Sequence, residues 1–261
     1  MNTKQDYIAV FDSGVGGISV LRHLRRIMPG ERYLYYGDSA NAPYGTRTKE
    51  AVRNLTFAAA EKLIARGIKA LVVACNTATS AAIRELREAY PDLIVIGIEP
   101  ALKLAADRFP GGRLGVMATP MTLREEKFAA LMRRYEESCT IFKLPAPGLV
   151  ELVEAGKADS AESEALLESL FAPYREQLDA LVLGCTHYPF AAGAISRVLG
   201  EKVVLLDGGE GTARETRRRL AEAGLLEEGE GQIIIESSAS EEARLRLAWQ
   251  LLEEQRGMRD G

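Results

Sequence analysis

Lys69-Ala70-Leu71-Val72-Val73-Ala74-Cys75-Asn76-Thr77 and Asp179-Ala180-Leu181-Val182-Leu183-Gly184-Cys185-Thr186-His187 are two versions of one stretch. Each is an apolar run of strand length that stops at a small residue and a cysteine, followed by amide, hydroxyl or imidazole side chains. Continuous Val/Leu runs of this kind belong to parallel strands covered on both faces, and open α/β folds place their chemistry at the carboxyl ends of such strands. The pair predicts one thiol per half, the two facing each other across a cleft.

Working outward, most of the chain alternates strand with helix, which predicts parallel α/β architecture. Tyr7-Ile8-Ala9-Val10-Phe11 is a first strand running into Asp12-Ser13-Gly14-Val15-Gly16-Gly17, whose glycines permit a tight turn and close approach to a ligand. An amphipathic helix, Ile18 to Ile27, follows. The second strand, Arg32 to Tyr36, leads into the loop Gly37 to Gly45, and a helix then begins at Thr48. Ile94 to Ile98 reads as a fourth strand, with Glu99-Pro100 opening a helix. After Gly111-Gly112 the pattern restarts. Arg113 to Ala118 is a second opening strand, and Thr119-Pro120-Met121-Thr122 stands where Asp12-Ser13 stood. Helices are predicted over 123–135, 160–177, 212–223 and 241–254, with one starting near Ala192. Strands are predicted over 139–144, 203–207 and 233–237, the segment 224–231 as an acidic surface loop, and 257–261 as a frayed end.

Asp12 and Cys75 are 63 residues apart and Ala118 and Cys185 67 apart, which supports an internal duplication. The predicted fold is two facing parallel-sheet α/β lobes related by a pseudo-twofold, with the active site in the cleft between them. Residues 1–98 and 208–261 are assigned to the first lobe and 99–207 to the second.

The composition narrows the function classes. A formal net charge of −4 argues against a surface built to coat nucleic acid. No apolar run is long enough to span a bilayer, and residues 1–7 carry no signal-like apolar segment, so a cytoplasmic location is expected. Three cysteines without a Cys-x-x-Cys unit, beside two histidines, fit neither a disulfide scaffold nor a structural zinc site.

A cysteine inside a strand is usually core, and Cys139 is read that way. Cys75 and Cys185 differ, because each ends its apolar run at a helix start, where amide donors favour thiolate over thiol. Two equivalent thiols facing one carbon suit proton removal from one face and delivery to the other, inverting a stereocentre. Acyl transfer needs a single nucleophile, a base and an oxyanion hole, and gives a second thiol no task.

Asp12 and Ser13 can assist Cys75, although a strand-end Asp is often a helix cap. His187 can polarise or relay a proton for Cys185, or be an ordinary loop histidine; His23 is structural. Glu154 can orient His187 or sit on a solvated face. Asn76, Thr77, Thr119, Thr122 and Thr186 fall at strand ends or helix starts, where N–H groups point at anions, and Pro43-Tyr44-Gly45 adds a rigid turn with exposed donors. Gly14, Gly16 and Gly17 do not make Gly-x-Gly-x-x-Gly, and no Gly-Lys-Ser/Thr ending is present. No lysine stands in a motif suited to a pyridoxal Schiff base. A mechanism with no cofactor and no metal is expected.

Four motifs together carry a resemblance that covers nearly the whole chain: Asp12-Ser13-Gly14-Val15-Gly16-Gly17, Gly37-Asp38 through Pro43-Tyr44-Gly45, Cys75-Asn76-Thr77-Ala78-Thr79, and Gly184-Cys185-Thr186-His187-Tyr188-Pro189. In this order they resemble the glutamate racemases of the cofactor-independent aspartate/glutamate racemase superfamily. The resemblance implies interconversion of L- and D-glutamate, with D-glutamate supplied for peptidoglycan, and a homodimeric assembly. It implies that Cys75, with Asp12, deprotonates the D enantiomer, and that Cys185, with His187 and Glu154 behind it, deprotonates the L enantiomer. Ser13, Pro43, Tyr44, Gly45, Asn76, Thr77, Thr122 and Thr186 would hold the substrate.

The chain departs from the family pattern at Ala146, where a cysteine is often found, at Asp207-Gly208, and at Asn41 and Ala42. An aspartate racemase shares the two-thiol logic. A one-cysteine decarboxylase or isomerase and a non-catalytic binding protein remain as alternatives.

Overall fold

The computed structural model describes residues 3–98 and 101–254. The predicted helix start at Glu99-Pro100 and the predicted fraying of 257–261 lie outside the described residues. By compactness the chain divides into one unit of Met1–Glu99 with Gly209–Glu253 and another containing Pro100–Gly208.

Nine strands occur among the described residues: β1 (Tyr7–Asp12), β2 (Arg32–Gly37), β3 (Ile68–Val73), β4 (Ile94–Gly97), β5 (Arg113–Ala118), β6 (Thr140–Pro145), β7 (Ala180–Leu183), β8 (Val204–Asp207) and β9 (Gln232–Ser237). The first unit holds a five-stranded sheet in the order β4-β3-β1-β2-β9, and the second a four-stranded sheet in the order β6-β5-β7-β8. Every pairing is parallel. Reading the second sheet from its other edge gives β8-β7-β5-β6, which matches β4-β3-β1-β2 strand for strand. The duplication inferred from the cysteine stretches is therefore a duplication of topology, with β9 added at one edge of the first sheet.

The apolar runs behave as double-sided burial requires. In the second unit Leu114, Val116, Ala180 and Val182 point into one core with Leu102, Phe128 and Met132. The alternate residues Met117, Leu181 and Leu183 point into another with Leu149, Leu167 and Ile195. Period-2 alternation thus feeds two apolar layers, and no polar residue is needed within β7. Cys139 is buried in the first of these cores, its thiol donating to the Phe109 carbonyl at 3.5 Å.

Helix boundaries depart from expectation where backbone chemistry intervenes. The segment predicted as one helix over 123–135 is two, Pro120–Arg124 and Glu126–Arg133, because Glu125 takes an extended conformation (ψ 129°). The Thr119 hydroxyl caps the earlier start. The helix predicted over 160–177 is Ala161–Phe171, followed by a 3-10 turn at Ala172–Tyr174. Pro173 has no N–H to continue the α pattern. The helix predicted from 212 starts at Gly209, since glycines are tolerated in a first turn whose N–H groups have no intrahelical partner. No helix among the described residues is long and apolar enough to cross a membrane.

The 224–231 loop is anchored rather than purely a surface feature. Lys69, inside β3, is fully buried and pairs with the equally buried Glu31 at 2.6 Å. Lys69 Nζ also donates to the carbonyls of Lys4 and Leu225, and Glu31 Oε1 accepts from Glu227 N at 2.9 Å. The ion pair ties both the amino-terminal segment and this loop to the sheet.

Removing one member of a buried pair strands the other charge. Lys69→Met is expected to destabilise the protein by roughly 3–5 kcal/mol in urea unfolding, with most of the loss recovered in Lys69→Met/Glu31→Leu.

Candidate active site

Each cysteine sits two residues beyond the end of its strand, placed by the same backbone bond. Ala74 N donates to Phe11 O at 2.8 Å, extending the β1–β3 ladder by one residue, and Gly184 N donates to Met117 O at 2.7 Å, doing the same for β5–β7. The next residue in each case is the thiol. Cys75 is 5% exposed and Cys185 8% exposed.

In the first unit Cys75 is the N-cap of the helix Asn76–Ala89, its sulfur accepting from Ala78 N at 3.4 Å. This is the amide environment anticipated at a helix start. Ser13 Oγ lies 3.6 Å from the sulfur. Asp12, completely buried at the end of β1, accepts from Gly14 N at 3.0 Å through Oδ1. Gly17 serves the protein's own packing. A Cβ on Gly17 would stand 2.6 Å from Asp12 Cβ, so Gly17 makes room for that carboxylate's side chain. Asn76 and Thr77, the first residues of the helix, are buried.

The Pro43-Tyr44-Gly45 turn follows a cis Ala42–Pro43 bond. Pro43 is half-buried, while Tyr44 and Gly45, in the turn expected to offer exposed backbone donors, are buried as residues. The cause is Asp38. Its carboxylate accepts from Tyr44 Oη at 2.6 Å and from Asn41 Nδ2 at 3.1 Å, while its own N–H donates to Asp12 O at 2.9 Å. Burial first, then the bond to Asp38 and the negative charges of Asp38, Cys75 and Asp12, hold the Tyr44 phenol far above its ordinary pKa, so it remains a neutral donor.

In the second unit Cys185, His187 and Glu154 form a chain. Cys185 Sγ is 3.7 Å from His187 Nδ1, and His187 Nε2 is 2.7 Å from Glu154 Oε1. The histidine is therefore no ordinary loop residue and the glutamate no solvated one; their side chains are 3% and 9% exposed. Burial by itself would lower the imidazole's pKa, but the hydrogen bonds to Cys185 and Glu154 and their charges outweigh it and leave it well above 6.5. Both ring nitrogens of the resulting imidazolium can donate, one to each partner.

Thr119 and Thr122 are joined through their hydroxyls at 3.0 Å, and Thr186 is buried beside Cys185 in sequence. Ala146, the departure from the family pattern, accepts from the Tyr188 hydroxyl at 3.5 Å through its carbonyl, a contact that uses no side chain at 146. His23 is half-buried on its helix with Nδ1 3.5 Å from Arg26 Nη2.

Two groups at the site carry no local mark of function in the sequence: Asp38, within the second motif, and Tyr35, within the second strand, whose hydroxyl donates to Gly14 O at 2.6 Å. The available signal was chemical. A phenol inside a buried strand needs a partner for its hydroxyl.

These features define a duplicated parallel α/β protein that carries a hydrogen-bonded thiol just past the same strand of each repeat. The profile of the Asp/Glu/Hydantoin racemase family matches residues 16–216, and the chain belongs to that family. It is 48% identical over 256 residues to a glutamate racemase of Clostridium botulinum, covering 97% of this chain and 99% of the relative. Among solved structures it resembles glutamate racemase from Thermus thermophilus in complex with β-chloro-D-alanine (38% identity, TM-score 0.82, covering 97% of this chain and 95% of that one). It also resembles Escherichia coli glutamate racemase in complex with L-glutamate and the activator UDP-MurNAc-Ala (31% identity, TM-score 0.81, covering 94% and 92%).

With only two histidines in the chain, the imidazoles can be followed individually by NMR. His187 is expected to stay protonated well past the pH at which a free imidazole titrates, near 6.5, and Glu154→Gln should move its midpoint down. Because the folded-state pKa is raised, the stability contributed by the imidazolium is complete below the unfolded value and is lost as pH rises through the folded one. A His187 signal that titrates identically in wild type and Glu154→Gln would contradict this account.

Proposed function

We propose that this chain is a cofactor-independent glutamate racemase that interconverts L- and D-glutamate by two-base proton transfer and supplies D-glutamate for peptidoglycan synthesis. The observation that carries the reading is the pair of thiols at topologically equivalent positions, each with its own polar assistants, in a chain close in sequence to glutamate racemases. A single-base reaction gives no reason to build the thiol site twice.

The mechanism follows from what each thiol touches. Cys75, as thiolate, removes the α-proton of D-glutamate. Its sulfur is held by the Ala78 amide and the Ser13 hydroxyl, and Asp12 is positioned beside Ser13. The electron pair left on the α-carbon is delocalised into the adjacent carboxylate. The Cys185 thiol then gives a proton to the opposite face, yielding L-glutamate, and the reverse direction exchanges the two roles. The His187 imidazolium stabilises the Cys185 thiolate before abstraction, and Glu154 keeps that ring charged and oriented. Ser13, Pro43, Tyr44, Gly45, Asn76, Thr77, Thr119, Thr122 and Thr186 hold the substrate's carboxylates and ammonium. Residues 1–98 with 208–261 make up one lobe and 99–207 the other. The assembly is a homodimer working in the cytoplasm without a metal.

The test is proton exchange in heavy water with no added cofactor. The wild type should release either enantiomer as the racemate, with deuterium at the α-carbon of the product. Each turnover uses both thiols, so Cys75→Ser and Cys185→Ser should each lower kcat/KM in both directions by roughly 10²–10⁴-fold, the scale of general acid–base catalysis. Loss with only one of the two variants would point to a one-base reaction. Binding without exchange in the wild type would mean a binding protein.

A further inference from the structure

We propose that Tyr35 is a positioning residue for the Cys75 half of the reaction, acting through Gly14; the inference rests on Cys75 being the base toward D-glutamate. Tyr35 lies in β2, 1% exposed, and its hydroxyl donates to the Gly14 carbonyl at 2.6 Å. Gly14 is also the residue whose N–H donates to Asp12 Oδ1, and Ser13, next to Cys75 Sγ, stands between the two. The three residues that supply both assistants of Cys75 are thus held at one end by the β1 ladder and at the other by the phenol.

The neighbouring backbone shows how closely the carbonyl is seated. A Cβ on Gly37 would stand 2.5 Å from Gly14 O and 3.4 Å from the Tyr35 ring. The carbonyl therefore sits in a slot made by the end of β2 and the Tyr35 ring. Without the hydroxyl that carbonyl loses a charge-neutral but buried hydrogen bond. The Asp12-Ser13-Gly14 turn then gains freedom to rotate, taking the carboxylate and the serine hydroxyl out of register with the sulfur. Tyr33 is an internal comparison. It lies on the same strand and face, and its hydroxyl can donate to Leu24 O or Met28 O, 2.9 and 2.8 Å away, at the far end of the preceding helix (Ile18–Ile27). It has the same chemistry and burial but no link to Cys75.

Primary isotope effects separate positioning from simple loss of stability. D-Glutamate deuterated at the α-carbon reports the Cys75 abstraction, and the L form reports the Cys185 abstraction. In Tyr35→Phe, kcat is expected to fall about tenfold, the consequence of one buried hydrogen bond worth about 1.4 kcal/mol. The isotope effect on kcat/KM should rise for the D substrate and fall for the L substrate, because the Cys75 step becomes the slower of the two. Tyr33→Phe should lose comparable stability in urea unfolding while leaving both isotope effects at their wild-type values. A folded Tyr35→Phe enzyme with both isotope effects unchanged would overturn the proposal while leaving the racemase reading intact. Absence of racemisation in the wild type would overturn the racemase reading, and this inference with it.

Discussion

Two backbone hydrogen bonds, Ala74 N to Phe11 O and Gly184 N to Met117 O, set the positions of the two thiols. Each carries a parallel ladder one residue past the end of its inner strand, so the following cysteine leaves the sheet at a defined height and direction. Parallel strands lend themselves to this because their bonds are evenly spaced and all of their carboxyl ends lie along one edge of the sheet. With every residue of β3 and of β7 buried, the strand ends cannot shift without dragging the core with them. The thiols inherit that rigidity.

Around these fixed points the two repeats solve the same problem with different groups. The first gives its sulfur neutral partners, a helix amide and a serine hydroxyl, with the buried Asp12 next to that serine in the chain and bonded to the Gly14 amide. The second places a histidine beside its sulfur and a glutamate behind the histidine, where hydrogen bonds to both, and then their charges, outweigh the burial penalty and raise the ring's pKa. Topological equivalence has therefore not imposed chemical equivalence.

The supporting shell in the first unit is an economy of two side chains from one strand end. Asp38 gathers Tyr44 and Asn41 and donates its own N–H to the Asp12 carbonyl, while Tyr35 holds Gly14. Burying a carboxylate or a phenol is unfavourable unless its hydrogen bonds are met, and here meeting them is what shapes the two loops. Lys69 and Glu31 do the same at the other end of the sheet, where a buried ion pair holds the 224–231 loop in place.

The repeated Ala-Leu-Val-x-x-Cys runs, their bounding small residues and the strand–helix alternation were enough to state a duplicated parallel α/β architecture, because side-chain periodicity and strand-end chemistry are local properties of the chain. The same locality made Cys75, Cys185 and the residues adjoining them stand out, and let Cys139 be read as core. Sequence alone could not choose between roles for His187 and Glu154, 33 residues apart, since only folding brings Nε2 within 2.7 Å of the carboxylate. It also gave no sign that the Pro43-Tyr44-Gly45 turn would be drawn inward, that Lys69 would find Glu31, or that a strand tyrosine would grip the Asp12 turn. Each of these depends on a partner distant in sequence, or on burial that exists only once the layers have packed, and no local pattern encodes such a meeting.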